Sequence, residues 1–206
     1  RFAVELARAS GREAELMALL DSPGDDAATR SDRIAALFRF VHQRDFERVA
    51  QGLALRPGAV EFVNRMRRAG FMVGLLSDSY FVAADIVRRR LFADFALAHM
   101  LQFDAEVCSG KLRLNAGFLA RPGDAGPAIC KSLVLRRLRE DCAEPCVLEC
   151  WALGDNVNDL GLLRSADRAF AIDPKSPLLA AVPGLTVVKD FDELLAHVPQ
   201  AMAVAA

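Results

Sequence analysis

Between Ala152 and Leu163 the chain reads ALGDNVNDLGLL. Asp155, Asn156, Asn158 and Asp159 crowd into five residues, between an apolar run and a leucine-rich one. Oxygen donors without a thiolate or an imidazole suit a hard cation such as Mg²⁺. Helix capping and dipole complementarity are the alternative reading. That alternative handles one acid well, but less well a second acid one helical turn on. A second polar group, Ser77-Asp78-Ser79, follows the apolar run FMVGLLS. In a parallel α/β sheet, ligands bind beyond the carboxyl ends of the strands. Both polar groups then fall on one rim, where a cation and helix-start amides suit a phosphate.

The elements that must carry these residues follow from hydrophobic periodicity. Residues 1 to about 55 read as helices, with a stop near Gly11 and a helical spacing through Ile34, Leu37, Phe38 and Val41. SPGDDAATRS between them reads as a loop, with Ser31 or Asp32 as the next cap. Val60, Val63 and Met66 form a helical stripe that stops at Gly70. FMVGLLS (71–77) has the length of a buried parallel strand. A helix over 81–91 follows, then a β-pair around 98–116 turning at Ser109-Gly110. KSLVLRRLRE is a helix, VLECWALGD a strand ending in acid, and DLGLLRSA a helix. RAFAI and LTVV are strands, and FDELLAHV is a closing helix. Helix, glycine stop, apolar strand and polar turn is the rhythm of an α/β fold.

Composition narrows the function classes. At 53% hydrophobic, the 206 residues can bury a substantial core. A net charge of −1 gives no basic field for nucleic acid or an anionic membrane, so neither is an expected partner. No apolar stretch reaches the roughly 18 residues of a membrane span. Five cysteines, an odd number, do not read as a disulfide framework. Cys142, Cys146 and Cys150 recur every four residues, but Pro145 interrupts any helix that would align them. Reduced thiols in a cytoplasmic protein are the expectation. Neither a GxGxxG nor a Walker-type loop is present, and the EF-hand spacing fails at Val157 and Leu160.

LLSDSY, then Lys131 opening a helix, then GDNVNDLGLL resemble, in that order, motifs II, III and IV of the haloacid dehalogenase superfamily of phosphatases. The branch they look most like is that of phosphoserine phosphatase. The resemblance implies a Rossmann-like α/β core with a parallel sheet at residues 56–206. It also implies a small helical cap region at residues 1–55, inserted before motif II. It implies that Ser77 binds the transferring phosphoryl oxygens, with the Asp78 amide beside it. Lys131 would neutralise phosphate charge and hold the nucleophile, Asp155 would bind Mg²⁺, Asp159 would orient Lys131 or support the metal shell, and Asn158 would sit near the phosphate. Arg33 looks like the counterpart of a cap arginine that binds a substrate carboxylate; a solvated helix residue is its other reading.

The chain departs from the family pattern at motif I. DxDx[ST], whose first Asp is the family's nucleophile, is absent from the 206 residues. An ungapped alignment puts it about nine residues before Arg1. The core is therefore expected to lack its first strand, which lies in the family's sheet between the motif II and motif IV strands. Motif II departs too, with Asp78 where many relatives carry glycine. Arg1 stands where the family has a glutamate for the substrate amino group. The expected function is a Mg²⁺-dependent phosphomonoesterase acting on a small, phosphoserine-like phosphorylated metabolite through an aspartyl-phosphate. A catalytically inactive phosphate-binding module and a phosphotransferase to an acceptor alcohol are the alternatives. Oligomeric state stays open.

Overall fold

A computed structural model of the chain describes residues 2–21, 27–113, 130–141 and 149–199. It divides into two compact units. One comprises Arg1–Leu55 and Met72–Ile129, the other Arg56–Phe71 and Cys130–Ala206. The fold is α/β, with a three-stranded sheet in each unit.

The first unit opens with four helices: α1 (Phe2–Ala9), α2 (Glu13–Leu20), α3 (Ala27–Leu37) and α4 (Gln43–Gly52). α3 begins earlier than its composition suggests, so Ser31 and Asp32 lie inside it and cannot cap it. It also stops at Leu37, before the expected Val41; Phe40 beyond it is left-handed, with φ 69°. The helices bury one aromatic cluster. Phe38 and Phe46 have no exposed surface, and their ring centroids lie 6.0 Å apart, edge to face. Phe2, Tyr80 and Phe103 join the same cluster at 5.3–6.4 Å. Such pairs add to the burial of their apolar area.

The sheet of this unit runs β1 (Gly74–Tyr80), β2 (Phe95–Asp104), β3 (Val107–Arg113), with α6 (Phe81–Leu91) joining β1 to its parallel neighbour β2. β1 starts three residues later than its apolar run. Asp94 fixes its entry, the carboxylate accepting from Val73 N (2.8 Å) and the Asp94 amide donating to Val73 O (2.7 Å). The ring of Phe95 then covers Gly74, where a β-carbon would come within 2.1 Å of it. β2 and β3 form the expected antiparallel pair, but the turn is at Ala105-Glu106 rather than Ser109-Gly110. Both turn residues have positive φ, 46° and 65°, as a tight two-residue hairpin requires. Gly110 instead lies in a strand irregularity against α3, where a β-carbon would meet Arg39 and Ala36 at 3.1–3.2 Å. Residues 114–116 of the expected pair lie outside the described residues.

The second unit orders β4 (Trp151–Gly154), β5 (Arg168–Ile172) and β6 (Thr186–Val188), all parallel. α5 (Ala59–Arg68), α7 (Lys131–Asp141), α8 (Leu160–Ser165) and α9 (Phe191–Leu195) belong to it. α5 ends as Gly70 promised. Gly70 is left-handed at φ 88°, while Phe71 N donates to Met66 O and Gly70 N to Arg67 O, both 3.0 Å. Buried Ala152, Leu163, Ala169, Ala171, Leu179 and Val182 form a core of small and branched side chains. Among the described residues β1 and β4 each pair with one strand only.

Candidate active site

Lys131 is the first residue of α7, and Asp159 closes a single 3₁₀ turn between β4 and α8. The structure brings them together: Lys131 Nζ donates to Asp159 Oδ1 at 2.7 Å, with both side chains about nine-tenths buried. The other carboxylate oxygen, Oδ2, accepts from the amides of Asp155 (3.1 Å) and Asn156 (3.2 Å). A buried carboxylate needs this full set of partners. Asn156 completes a capping box, its side chain accepting from Val157 N at 2.8 Å. Two glycines allow the approach. A β-carbon on Gly154 would lie 2.5 Å from Asp159 Cβ, and one on Gly161 would lie 3.3 Å from Ser132 Oγ of α7.

The two acids of the cluster differ in their surroundings. Asp159 is the structural acid, tying the strand end to a buried lysine. Asp155 directly follows β4 and is half-exposed, its carboxylate ion-paired with Lys175 and, at 3.7 Å, with Arg56. Asn158 is exposed on the 3₁₀ turn. No group of three or more His, Cys, Asp and Glu residues among the described ones could cage a metal ion. The donor chemistry nonetheless fits Mg²⁺, which takes one or two protein carboxylates and completes its shell with water and phosphate oxygens. Asp155, half-exposed after β4, offers one carboxylate of that kind. Cys142 and Cys146 of the cysteine series lie outside the described residues. Cys150 is half-buried, and burial pushes its thiol pKa up.

The remaining candidates belong to the first unit. Ser77, Asp78 and Ser79 do not follow β1 but interrupt it. The parallel register holds from Gly74↔Phe95 to Leu76↔Leu97 and resumes only at Tyr80↔His99. Four steps on β1 therefore face two on β2, so the polar triplet bulges out of the ladder. Ser79 N donates to Ser77 Oγ at 3.1 Å, which fixes the Ser77 hydroxyl as an acceptor within the bulge. Asp78 is half-buried in the same bulge, and Arg33 is exposed on α3.

His99, opposite the bulge, escaped sequence reasoning. It is 1% exposed, and neither ring nitrogen has a hydrogen-bond partner among the described residues. Burial holds its pKa below the ordinary histidine value, partly offset by the charges of Asp78 and Asp32. A lone histidine in an apolar strand carries no signal in sequence, because the residue it lies in register with, Tyr80, is distant in sequence. Lys175 and Arg56 were missed for the same reason: each is distant in sequence from the acid it meets.

Comparison with known proteins matches residues 2–164 to the haloacid dehalogenase-like hydrolases. Phosphoserine phosphatase of Streptomyces coelicolor is 28% identical over 151 residues, covering 72% of this chain but 34% of its own length. The phosphoserine phosphatase of Albidiferax ferrireducens is 28% identical over 181 residues, covering 84% of this chain and 72% of its own. The chain thus spans about a third of the first relative. A crystal structure of phosphoserine phosphatase in apo form superposes with a TM-score of 0.77 at 19% identity, covering 97% of this chain and 92% of that one. A hydrolase of the same superfamily from Salmonella enterica serovar Typhi superposes with a TM-score of 0.79 at 18% identity, over 98% and 68% of the two chains. At these identities the superpositions establish the fold. The profile match covers most of the chain, and with it the chain belongs to the haloacid dehalogenase-like hydrolase family.

Proposed function

We propose that this chain forms part of a Mg²⁺-dependent phosphomonoesterase acting on a small phosphorylated metabolite of the phosphoserine type. The observation that carries the reading is the buried Lys131–Asp159 pair, locked to the backbone at the end of β4 beside a half-exposed carboxylate, Asp155. A lysine held this way has a fixed position, which is what neutralising a phosphoryl group requires. Relatives named phosphoserine phosphatase support the substrate class.

In this reading Lys131 neutralises the phosphoryl charge and Asp159 positions it. Ser77 donates to a phosphoryl oxygen, the Asp78 amide adds a donor, and Asn158 adds a polar contact near the phosphate. Arg33 pairs with a substrate carboxylate. When bound at Asp155, Mg²⁺ supplies charge neutralisation to the phosphate oxygens. As in the family it resembles, the reaction runs through an aspartyl-phosphate, formed on the first aspartate of a DxDx[ST] motif and then hydrolysed by water. Among the described residues no helix is long and apolar enough to cross a membrane.

The test is phosphate release from phosphoserine by the full-length protein, with Mg²⁺ and with chelator. Release that requires the ion, and that falls at least a hundredfold in Asp155→Asn, supports the reading. Unchanged release in Asp155→Asn removes the ligand role of Asp155. Lack of release from any small phosphomonoester favours an inactive phosphate-binding module. Transfer of the phosphoryl group to an added alcohol such as homoserine, in place of free phosphate, identifies a phosphotransferase.

A further inference from the structure

Asp155 is not an open carboxylate. Its Oδ2 accepts from Lys175 Nζ, and Arg56 Nη2 lies 3.7 Å from the same oxygen. Arg56 is shared with Asp173, at 3.5 Å. Lys175 reaches Asp155 because its backbone is placed there. Its amide donates to the Asp155 carbonyl at 2.8 Å, and two residues earlier Asp173 N donates to Val188 O at 3.1 Å. Asp173 itself takes a left-handed φ of 47°, turning the chain back from β5 toward the end of β4. The segment after β5 is therefore tied to β6 at one end and to β4 at the other, with the ammonium pinned beside the acid.

We propose that Lys175 is a built-in counter-cation of Asp155 that a divalent ion must displace, so that Lys175 lowers the affinity of the site for metal. The proposal rests on the reading of Asp155 as a metal ligand. A carboxylate oxygen donating to an ion at about 2.1 Å has no room for an ammonium in contact on the same side. The pair is half-exposed, with side-chain accessibilities of 43% and 37%, so water screens it and the competition is modest. Because the backbone tie is independent of the side chain, the displaced ammonium stays near the site as a free cation. Arg56 contributes less, being farther away and divided between two carboxylates.

The experiment compares the full-length protein with Lys175→Gln, Lys175→Arg and Lys189→Gln, using Mn²⁺ as probe in calorimetric or paramagnetic titration. Lys189 is an exposed lysine of the same unit paired with Glu193, at 3.5 Å, and controls for loss of charge alone. Lys175→Gln is expected to bind Mn²⁺ about two- to fivefold tighter. Lys175→Arg and Lys189→Gln are expected to match wild type. Equal or weaker binding by Lys175→Gln, with Mn²⁺ still bound, overturns this inference and leaves the metal reading standing. Binding by none of the proteins overturns both. A second readout needs no metal: the Asp155 carboxyl ¹³C resonance of the ion-free protein. It shifts in Lys175→Gln and stays in Lys189→Gln if the pair exists; a resonance unmoved by Lys175→Gln overturns the pairing.

Discussion

Gly154 faces the side chain of Asp159 so closely that the hydrogen on its α-carbon occupies the only space available. A methyl group there would lie 2.5 Å from Asp159 Cβ and 2.8 Å from Oδ2. The neighbour is the root of a side chain held by Lys131 and by two backbone amides, so it cannot swing aside.

Gly154→Ala should therefore destabilise the second unit by about 1–3 kcal/mol, the usual cost of forcing a methyl into packed structure. Urea unfolding followed by the fluorescence of Trp151, three residues away, measures it. Gly184→Ala, with nothing within 4 Å of its β-carbon, tests left-handed backbone strain alone and should cost less. Equal losses would discount the close approach.

Removing one partner of the Lys131–Asp159 pair leaves a buried charge. Asp159→Ala should cost about 3–5 kcal/mol, because Lys131 and the amides of Asp155 and Asn156 lose their acceptor together. Adding Lys131→Met to it should recover part of that loss. A double-mutant cycle by chemical denaturation checks the coupling, and additive losses would refute it.

His99 gives the first unit a pH dependence whose sign is fixed. Its folded pKa lies below the unfolded value of about 6.5, so between the two the unfolded chain binds more protons. Stability is fully present above about pH 6.5 and is lost as pH falls toward the folded pKa. Unfolding free energies at pH 7.5, 6.5 and 5.5 should show this decline, and His99→Gln should flatten it. The same slope in both proteins would assign it to the carboxylates.

Phe46 has no exposed surface and packs against Phe2, Phe38, Tyr80 and Phe103. Phe46→Ala should cost about 3–5 kcal/mol. Thermal unfolding by circular dichroism checks this, and a loss under 1 kcal/mol would mean that the four rings close over the gap.

Much of the scaffold was legible because strong local patterns coincide with tertiary need. The helix over 81–91 and the strand RAFAI are where apolar period and length put them. Gly70 announced the end of α5 through a conformation that favours glycine. The failures share another cause, tertiary geometry imposed on unmarked residues. Ala105-Glu106 takes a turn that asparagine and glycine would have advertised. Gly110 looked like that turn, but is glycine because α3 passes against it. β1 begins late because Asp94, twenty residues on, ties off its entry. At the candidate site, motif order singled out Lys131 and Asp159, and the structure joins them. Lys175 matters through an acid, and His99 through a buried setting, that the fold brings near, and single-residue composition does not record that.

The two units are discontinuous in sequence, which sets the order in which the chain can fold during synthesis. α5 is made early, yet Phe62 on it stacks against Phe191 of α9, with ring centroids 5.5 Å apart and more than a hundred residues between. A ribosome adding about 5–20 residues per second leaves that apolar face of α5 waiting about 6–26 seconds for its partner. The first unit needs no residue beyond Ile129 and can close beforehand. The second must join two segments separated in sequence by Met72–Ile129, so its assembly is the slow, aggregation-exposed stage.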